Sequence, residues 1–221
     1  MRIIRKLADN NEMTSLASQA RQRRFVFFHQ LLDRVPRPIR ILDVGGTQRF
    51  WEVMRFADSP GVEVTLLNVS PQRITRPNFV GLVGDATNMT CFPDKSFDVC
   101  FSNSVIEHVG DFSNQIQMAQ EVQRVGIRYF IQTPNYYFPI EPHFLFFGFQ
   151  WLPVSVRVML LQKYDLGWMK RRPDRRAAEQ DVRGIRLLKR QELSSLFPDA
   201  QLFEERLFGF TKSFVAYGGW S

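Results

Sequence analysis

The stretch Ile39-Arg40-Ile41-Leu42-Asp43-Val44-Gly45-Gly46-Thr47 decides the fold. A short apolar run follows Pro36 and Pro38 and ends in a carboxylate and two glycines. A run of this length, bounded by breakers, is what a parallel strand covered on both faces looks like. Open α/β sheets bind ligands beyond the carboxyl ends of their strands, and glycines there let the backbone approach closely. On its own a Gly-Gly pair after a strand also fits an ordinary tight turn.

Working outward, residues 11–35 carry Leu16, Ala20, Phe27, Phe28, Leu31, Leu32 and Val35 at three- and four-residue spacing, which predicts an amphipathic helix. Downstream, the pattern predicts a helix over 50–57, strands over 62–69, 79–83 and 97–102, a helix over 112–125 and a strand over 127–133. Alternation of this kind implies parallel βαβ units with right-handed crossovers. The alternation stops at residue 134 and resumes with a helix over 189–197 and strands over 201–207 and 214–217. Those last two strands lie too close in sequence for a parallel crossover, so they form an antiparallel hairpin. The expected fold class is α/β with a mainly parallel sheet, helices on both faces and a C-terminal antiparallel hairpin.

The 221 residues fit one domain, with an N-terminal helical segment over 1–36 and an insertion over 135–185. Cys91 and Cys100 form no CxxC pair and have few histidines near them, so reduced thiols and no metal site are expected. The N-terminal residues lack the apolar run of a secretory signal, which points to the cytoplasm. The apolar stretch 144–161 is interrupted by Gln150, Pro153 and Arg157. It reads as a substrate lid or an interfacial helix rather than a membrane span. Net charge is +7, and residues 170–190 hold nine of the 29 basic residues against three of the 22 acidic ones, so the basic character is one segment.

The ends of the other strands add to the glycine turn. Asn68 ends the second strand about 20 residues past the glycines, where a group for ribose hydroxyls is needed. Gly84-Asp85-Ala86 ends the third, and FDVCFSN (97–103) ends the fourth, followed by Val105-Ile106-Glu107-His108-Val109. With ILDVGG, LNVSP, GDATNMTCFPDKSFDVCFSNSVIEHVGD and the TPN after the fifth strand, all in order over residues 38–134, the chain resembles the class I S-adenosylmethionine-dependent methyltransferases. The similarity is to the small-molecule group that includes quinone-biosynthesis enzymes.

The resemblance implies a Rossmann-like, seven-stranded sheet and S-adenosyl-L-methionine as methyl donor. It places Asp43, Gly45 and Gly46 around the methionine part, Asn68 at the ribose, Asp85 and Ala86 at the adenine edge, and Ser102 and Asn103 against the sulfonium side through their backbone. Asp43 also suits a turn cap, and Asp85 an ordinary loop acid. Two departures stand out: the family's second and third glycines are Thr47 and Arg49 here, and its usual acid on the second strand is Asn68.

Methyl transfer to a hydroxyl or ammonium needs alignment, exclusion of water and a proton acceptor. His143, beside Glu141 after the fifth strand, is the first candidate base, and His108, beside Glu107, the second. Helix capping for His108 and a loop role for His143 are the structural alternatives. Ten aromatic residues between Tyr136 and Trp168 suggest a lid over the acceptor, built as a helical subdomain, or contact with a membrane surface. The basic run 170–176 suits anionic lipid, a phosphorylated acceptor or a solvated loop, while RNA is disfavoured because no RNA-binding module is visible. The expected function is methylation, on oxygen, of a small-molecule or lipid- or sugar-linked acceptor. The alternative is a binding or scaffold protein that keeps the fold without the catalysis. A nicotinamide oxidoreductase is disfavoured, since GxGxxG is absent.

Overall fold

The computed structural model describes residues 15–220 apart from the side chain of Leu16, so the first part of the expected 1–36 helical segment lies outside the described residues. Helix α1 (Leu16–Leu32) is capped by Ser15, whose hydroxyl oxygen accepts the Ser18 N–H at 3.0 Å. Strand β1 (Ile39–Val44) and helix α2 (Gln48–Val53) flank the glycine turn, followed by β2 (Val62–Asn68), β3 (Phe79–Val83) and β4 (Phe97–Asn103). Helix α3 (Phe112–Val125) starts at an Asp111 cap and leads into β5 (Gly126–Pro134). The chain closes with α6 (Arg190–Leu196), β8 (Gln201–Leu207) and β9 (Phe210–Gly218).

The strands form one seven-stranded sheet in the order β3-β2-β1-β4-β5-β9-β8. Pairings among β1 to β5 are parallel, whereas β9 runs antiparallel to both β5 and β8. This is the mainly parallel sheet with an antiparallel C-terminal pair that the sequence pattern implies. Strand order reverses between β1 and β4, and the carboxyl ends on either side of that switch point hold the site.

Two apolar layers cover the sheet. On one face Phe28, Leu31 and Leu32 of α1 pack with Trp51, Ile41, Phe101 and Phe130. There Phe101 and Phe130 are stacked, with centroids 5.7 Å apart. On the other face Met118, Val122 and Val125 of α3 pack with Leu42, Cys100, Ile131 and Leu196. Both cysteines are free, Cys100 buried and Cys91 exposed.

Between β5 and α6 the chain builds a two-stranded hairpin, β6 (Ile140–Glu141) with β7 (Phe146–Phe147), and the helices α4 (Val154–Lys163) and α5 (Arg175–Arg183). Phe144, Phe149, Val158, Leu161, Leu166, Ala178 and Val182 form their own apolar cluster. The stretch 144–161 is therefore a hairpin strand, a single helical turn and a ten-residue helix. No helix among the described residues is long and apolar enough to cross a membrane. Nine residues of the basic segment form helix α5, and the segment's cations are partly paired within the chain, Arg172 with Asp181 and Arg183 with Glu179.

Candidate active site

The turn after β1 has no room for side chains. Gly45 takes φ +76°, and a Cβ there would stand 2.5 Å from Val105 Cγ2; one on Gly46 would stand 1.7 Å from Asp43 Oδ2. The turn is tied to β2 twice: Gly45 N–H donates to the Leu67 carbonyl at 2.7 Å, and Asn68 Nδ2 donates to the Gly46 carbonyl at 2.7 Å. Asn68 is thus a latch on the glycine turn, and its amide oxygen and second amide N–H are left for a ligand hydroxyl.

Asp43 is fully buried. Its Oδ2 accepts the Trp51 indole N–H at 2.7 Å, while Oδ1 has no partner. Burial pushes the carboxyl up to about 7, and the Trp51 bond offsets only part of that. A buried carboxylate with one unused oxygen, beside a turn too tight for any side chain, fits the ammonium of an amino-acid ligand. The residues present therefore have the chemistry to hold the amino-acid end of such a ligand. Trp51 went unrecognised from sequence, because an aromatic on an amphipathic helix reads as core.

The other residues implied for the donor lie at or just past the carboxyl ends of β3 and β4. Asp85 is exposed, and its Oδ1 accepts both the backbone N–H and the hydroxyl of Thr87 at 2.8 Å, so it shapes its own loop; Ala86 beside it packs on the core. Ser102 is buried and donates its hydroxyl to the Val44 carbonyl at 3.1 Å, joining β4 to β1 below the turn. Asn103 Oδ1 accepts from the Arg24 guanidinium of α1.

The two histidines meet. His108 and His143 stand edge to face with ring centroids 4.7 Å apart. Glu141, only 2% exposed, holds His143 at three points: one oxygen meets ring Nδ1 at 2.7 Å, and the other accepts the backbone N–H groups of His143 at 2.8 Å and Phe144 at 2.6 Å. Beneath them Glu107 is fully buried, with Oε2 accepting the Thr133 hydroxyl of β5 at 3.1 Å and Oε1 unpartnered. Gln115 donates to the carbonyls of Ile106 and Arg186 at 2.9 Å, clamping the return of the insertion over this turn.

The cluster splits its proton affinities. Burial pushes Glu107 up to about 7 against the pull of His143, and burial together with the His143 charge brings His108 down to about 4. Burial would lower His143 too, but the Glu141 hydrogen bond and the charges of Glu141 and Glu107 outweigh it, and its pKa is raised. One donor atom from each of Glu107, His108 and His143 lies within 4.8 Å of the others. The three groups are close enough for their charges to act on one another.

Comparison with known proteins agrees with this geometry. Residues 42–128 match the model of the methyltransferase domain family. A stretch of 66 residues is 38% identical to an uncharacterised protein of Mycobacterium tuberculosis; it is 30% of this chain and 22% of that relative, so the chain matches about a fifth of the relative's length. An S-adenosylmethionine-dependent methyltransferase of Methanosarcina mazei superposes with a TM-score of 0.54 at 16% identity, over 86% of this chain and 95% of that one. One from Aquifex aeolicus gives a TM-score of 0.52 at 12% identity, covering 98% and 96%. Residues 42–128 thus match a methyltransferase domain, and the fold is the one found in these S-adenosylmethionine-dependent methyltransferases.

Proposed function

We propose that the chain methylates an oxygen atom of a small or lipid- or sugar-linked acceptor bound beneath the 135–185 insertion. When bound, S-adenosylmethionine would supply an electrophilic methyl carbon, which bonds in line to the acceptor oxygen as the C–S bond breaks and a neutral thioether leaves. In this reading Asp43, Gly45 and Gly46 seat the donor's amino-acid end, and the amide oxygen of Asn68 takes a ribose hydroxyl. Asp85 and Ala86 border the adenine, and Ser102 and Asn103 present backbone to the sulfonium side. His143 accepts the acceptor's proton at Nε2, because Glu141 already fixes Nδ1 and stabilises the imidazolium that forms. His108, held neutral, is the second candidate and walls the His143 ring.

The observation that carries the base assignment is Glu141, a buried carboxylate whose two oxygens are spent on placing one histidine. The same reading includes a peripheral membrane contact through 144–176, supported by Phe147, 71% exposed and edge to face with Trp151. Titration of the full chain with S-adenosylhomocysteine, then incubation of cell extract with isotopically labelled donor, tests the proposal. Binding followed by label on an oxygen of a small molecule, lost in His143→Asn, is expected. Donor binding with no labelled product, alongside a co-purifying partner, would replace this reading with a non-catalytic scaffold.

A further inference from the structure

A chamber of about 250 Å³ opens between α1, the ends of β4 and β5, the insertion and the β8–β9 turn. One wall is apolar, with Phe138, Ile140, Leu145 and Trp168. Pro142 and Leu145, which flank the His143 segment in sequence, both line it. The lining also carries Arg21, Arg24 and Lys212.

The chamber's lining holds no carboxylate among the described residues, and the buried Glu205, which pairs with Arg24, is fully used. Its Oε1 meets Arg24 Nε at 2.9 Å, and its Oε2 accepts the Ser213 hydroxyl. Among the described residues no carboxylate pairs with Arg21 or Lys212. Three cations therefore face one anion in a partly buried space. Burial, and then the Arg24 charge, lower the pKa of Arg21; burial lowers that of Lys212, with Arg24 and Arg21 adding to the effect against Glu205. Buried charges are ordinarily paired, and a chamber lined by apolar side chains and by cations in excess of carboxylates is the complement of an amphipathic anion.

Resting on the methyltransferase reading above, we propose that this chamber is the acceptor site and that the acceptor is an amphipathic anion. Its apolar or aromatic body lies against Phe138, Ile140, Leu145 and Trp168, and its carboxylate or phosphate sits between Arg21, Arg24 and Lys212. The donor's own carboxylate offers the same chemistry, so the test separates the two sources.

The full chain is titrated calorimetrically with S-adenosylhomocysteine, and then, with and without it, with 4-butylbenzoate, monodecyl phosphate and neutral 4-butylbenzamide. The expected result is at least tenfold preference for the two anions over the amide, weakened by added salt as a charge-driven contact must be. Arg21→Met and Lys212→Met, which keep length and remove charge, are expected to cut anion affinity at least tenfold while changing that for S-adenosylhomocysteine less than threefold. Their thermal midpoints should equal or exceed the parent's, since each removes a repulsive charge, and this separates lost binding from lost fold. Equal affinity for amide and anions overturns the proposal. So does a parallel tenfold loss of S-adenosylhomocysteine binding in the variants, which would assign the cations to the donor. Failure of S-adenosylhomocysteine to bind at millimolar concentration would instead remove the methyltransferase reading, and the anion-over-amide preference measured without it would still decide the chamber's chemistry.

Discussion

Asp43→Asn probes the centre of the proposed donor site. The carboxyl's folded pKa of about 7 lies about 3 units above the ordinary value near 3.9, and each unit is worth about 1.4 kcal/mol. The fully ionised group therefore costs the folded chain roughly 4 kcal/mol. The folded pKa is raised, so the associated stability is fully present below about pH 4, falls as pH rises toward 7, and is gone through and above the folded value. An asparagine keeps an oxygen for the Trp51 N–H but puts an unpartnered NH2 where Oδ1 now lies, at about 1–3 kcal/mol. At pH 8 the variant is thus expected to be about 1–3 kcal/mol more stable than the parent, and at pH 5 equal to it or weaker. For a chain of this size that corresponds to a rise of roughly 2–12 °C at pH 8. Donor binding should move the other way. Losing a charge-assisted bond to the ligand ammonium, about 1.5–3 kcal/mol, weakens S-adenosylhomocysteine by roughly 10- to 150-fold. Urea unfolding across pH 5 to 8 and calorimetry at pH 8 measure both. The reasoning fails if the stability difference between parent and variant is flat with pH, or if the variant binds S-adenosylhomocysteine as tightly as the parent.

Gly46→Ala should cost about 1–3 kcal/mol by denaturant unfolding and abolish S-adenosylhomocysteine binding, because its Cβ displaces Asp43 from Trp51; unchanged affinity would show the turn to be looser than its geometry. Asn68→Asp restores the family's usual acid yet is expected to weaken S-adenosylhomocysteine. A carboxylate facing the Gly46 carbonyl at 2.7 Å repels it and releases the turn, and a gain in affinity would sink the latch. Glu141→Gln should lower kcat at least tenfold and move the acid limb of the pH–rate profile down. Activity requires neutral His143 and so rises with pH, and Glu141 and Glu107 are the groups that raise its pKa, with His108 packed against it. The limb belongs to the His143–Glu107–His108 cluster as a whole, so its displacement is the readout; an unmoved limb would remove His143 from the role of base.

Much of the sheet was legible because its signals are local. Val62–Asn68, Phe79–Val83 and Phe112–Val125 fall within a residue of the boundaries their apolar periodicity predicts. Helix α2 begins two residues earlier than expected, since its first buried side chain is polar: Gln48 bonds Glu52 and Thr75 and gives no hydrophobic signal. Strand β9 begins at Phe210 rather than Phe214 for a similar reason, because the Thr211-Lys212-Ser213 stretch reads as a turn until Glu205 supplies a buried partner for Ser213. Helix α5 buries only Ala178 and Val182 of its nine residues, so its charges mask its period. The candidate site divides the same way. Asp43, the glycines and Asn68 sit at strand ends and could be named, whereas Arg21, Arg24 and Lys212 line one chamber only because β9 inserts beside β5. No window of sequence contains that adjacency.

Thr47 and Arg49, where the family has glycines, look like losses when read as letters. Glycine is required where a Cβ meets atoms that cannot move, and that holds at Gly45 and Gly46. Thr47 takes φ −133° and ψ 148°, an extended conformation open to any residue, and Arg49 lies inside α2, where an arginine favours the helix more than a glycine does. The helix can therefore start at Gln48, directly after the turn. That early start carries Trp51 back over β1 to donate to Asp43, leaving Oδ1 as the one unspent oxygen. Thr47 and Arg49 thus cap and begin the helix that anchors Asp43 through Trp51.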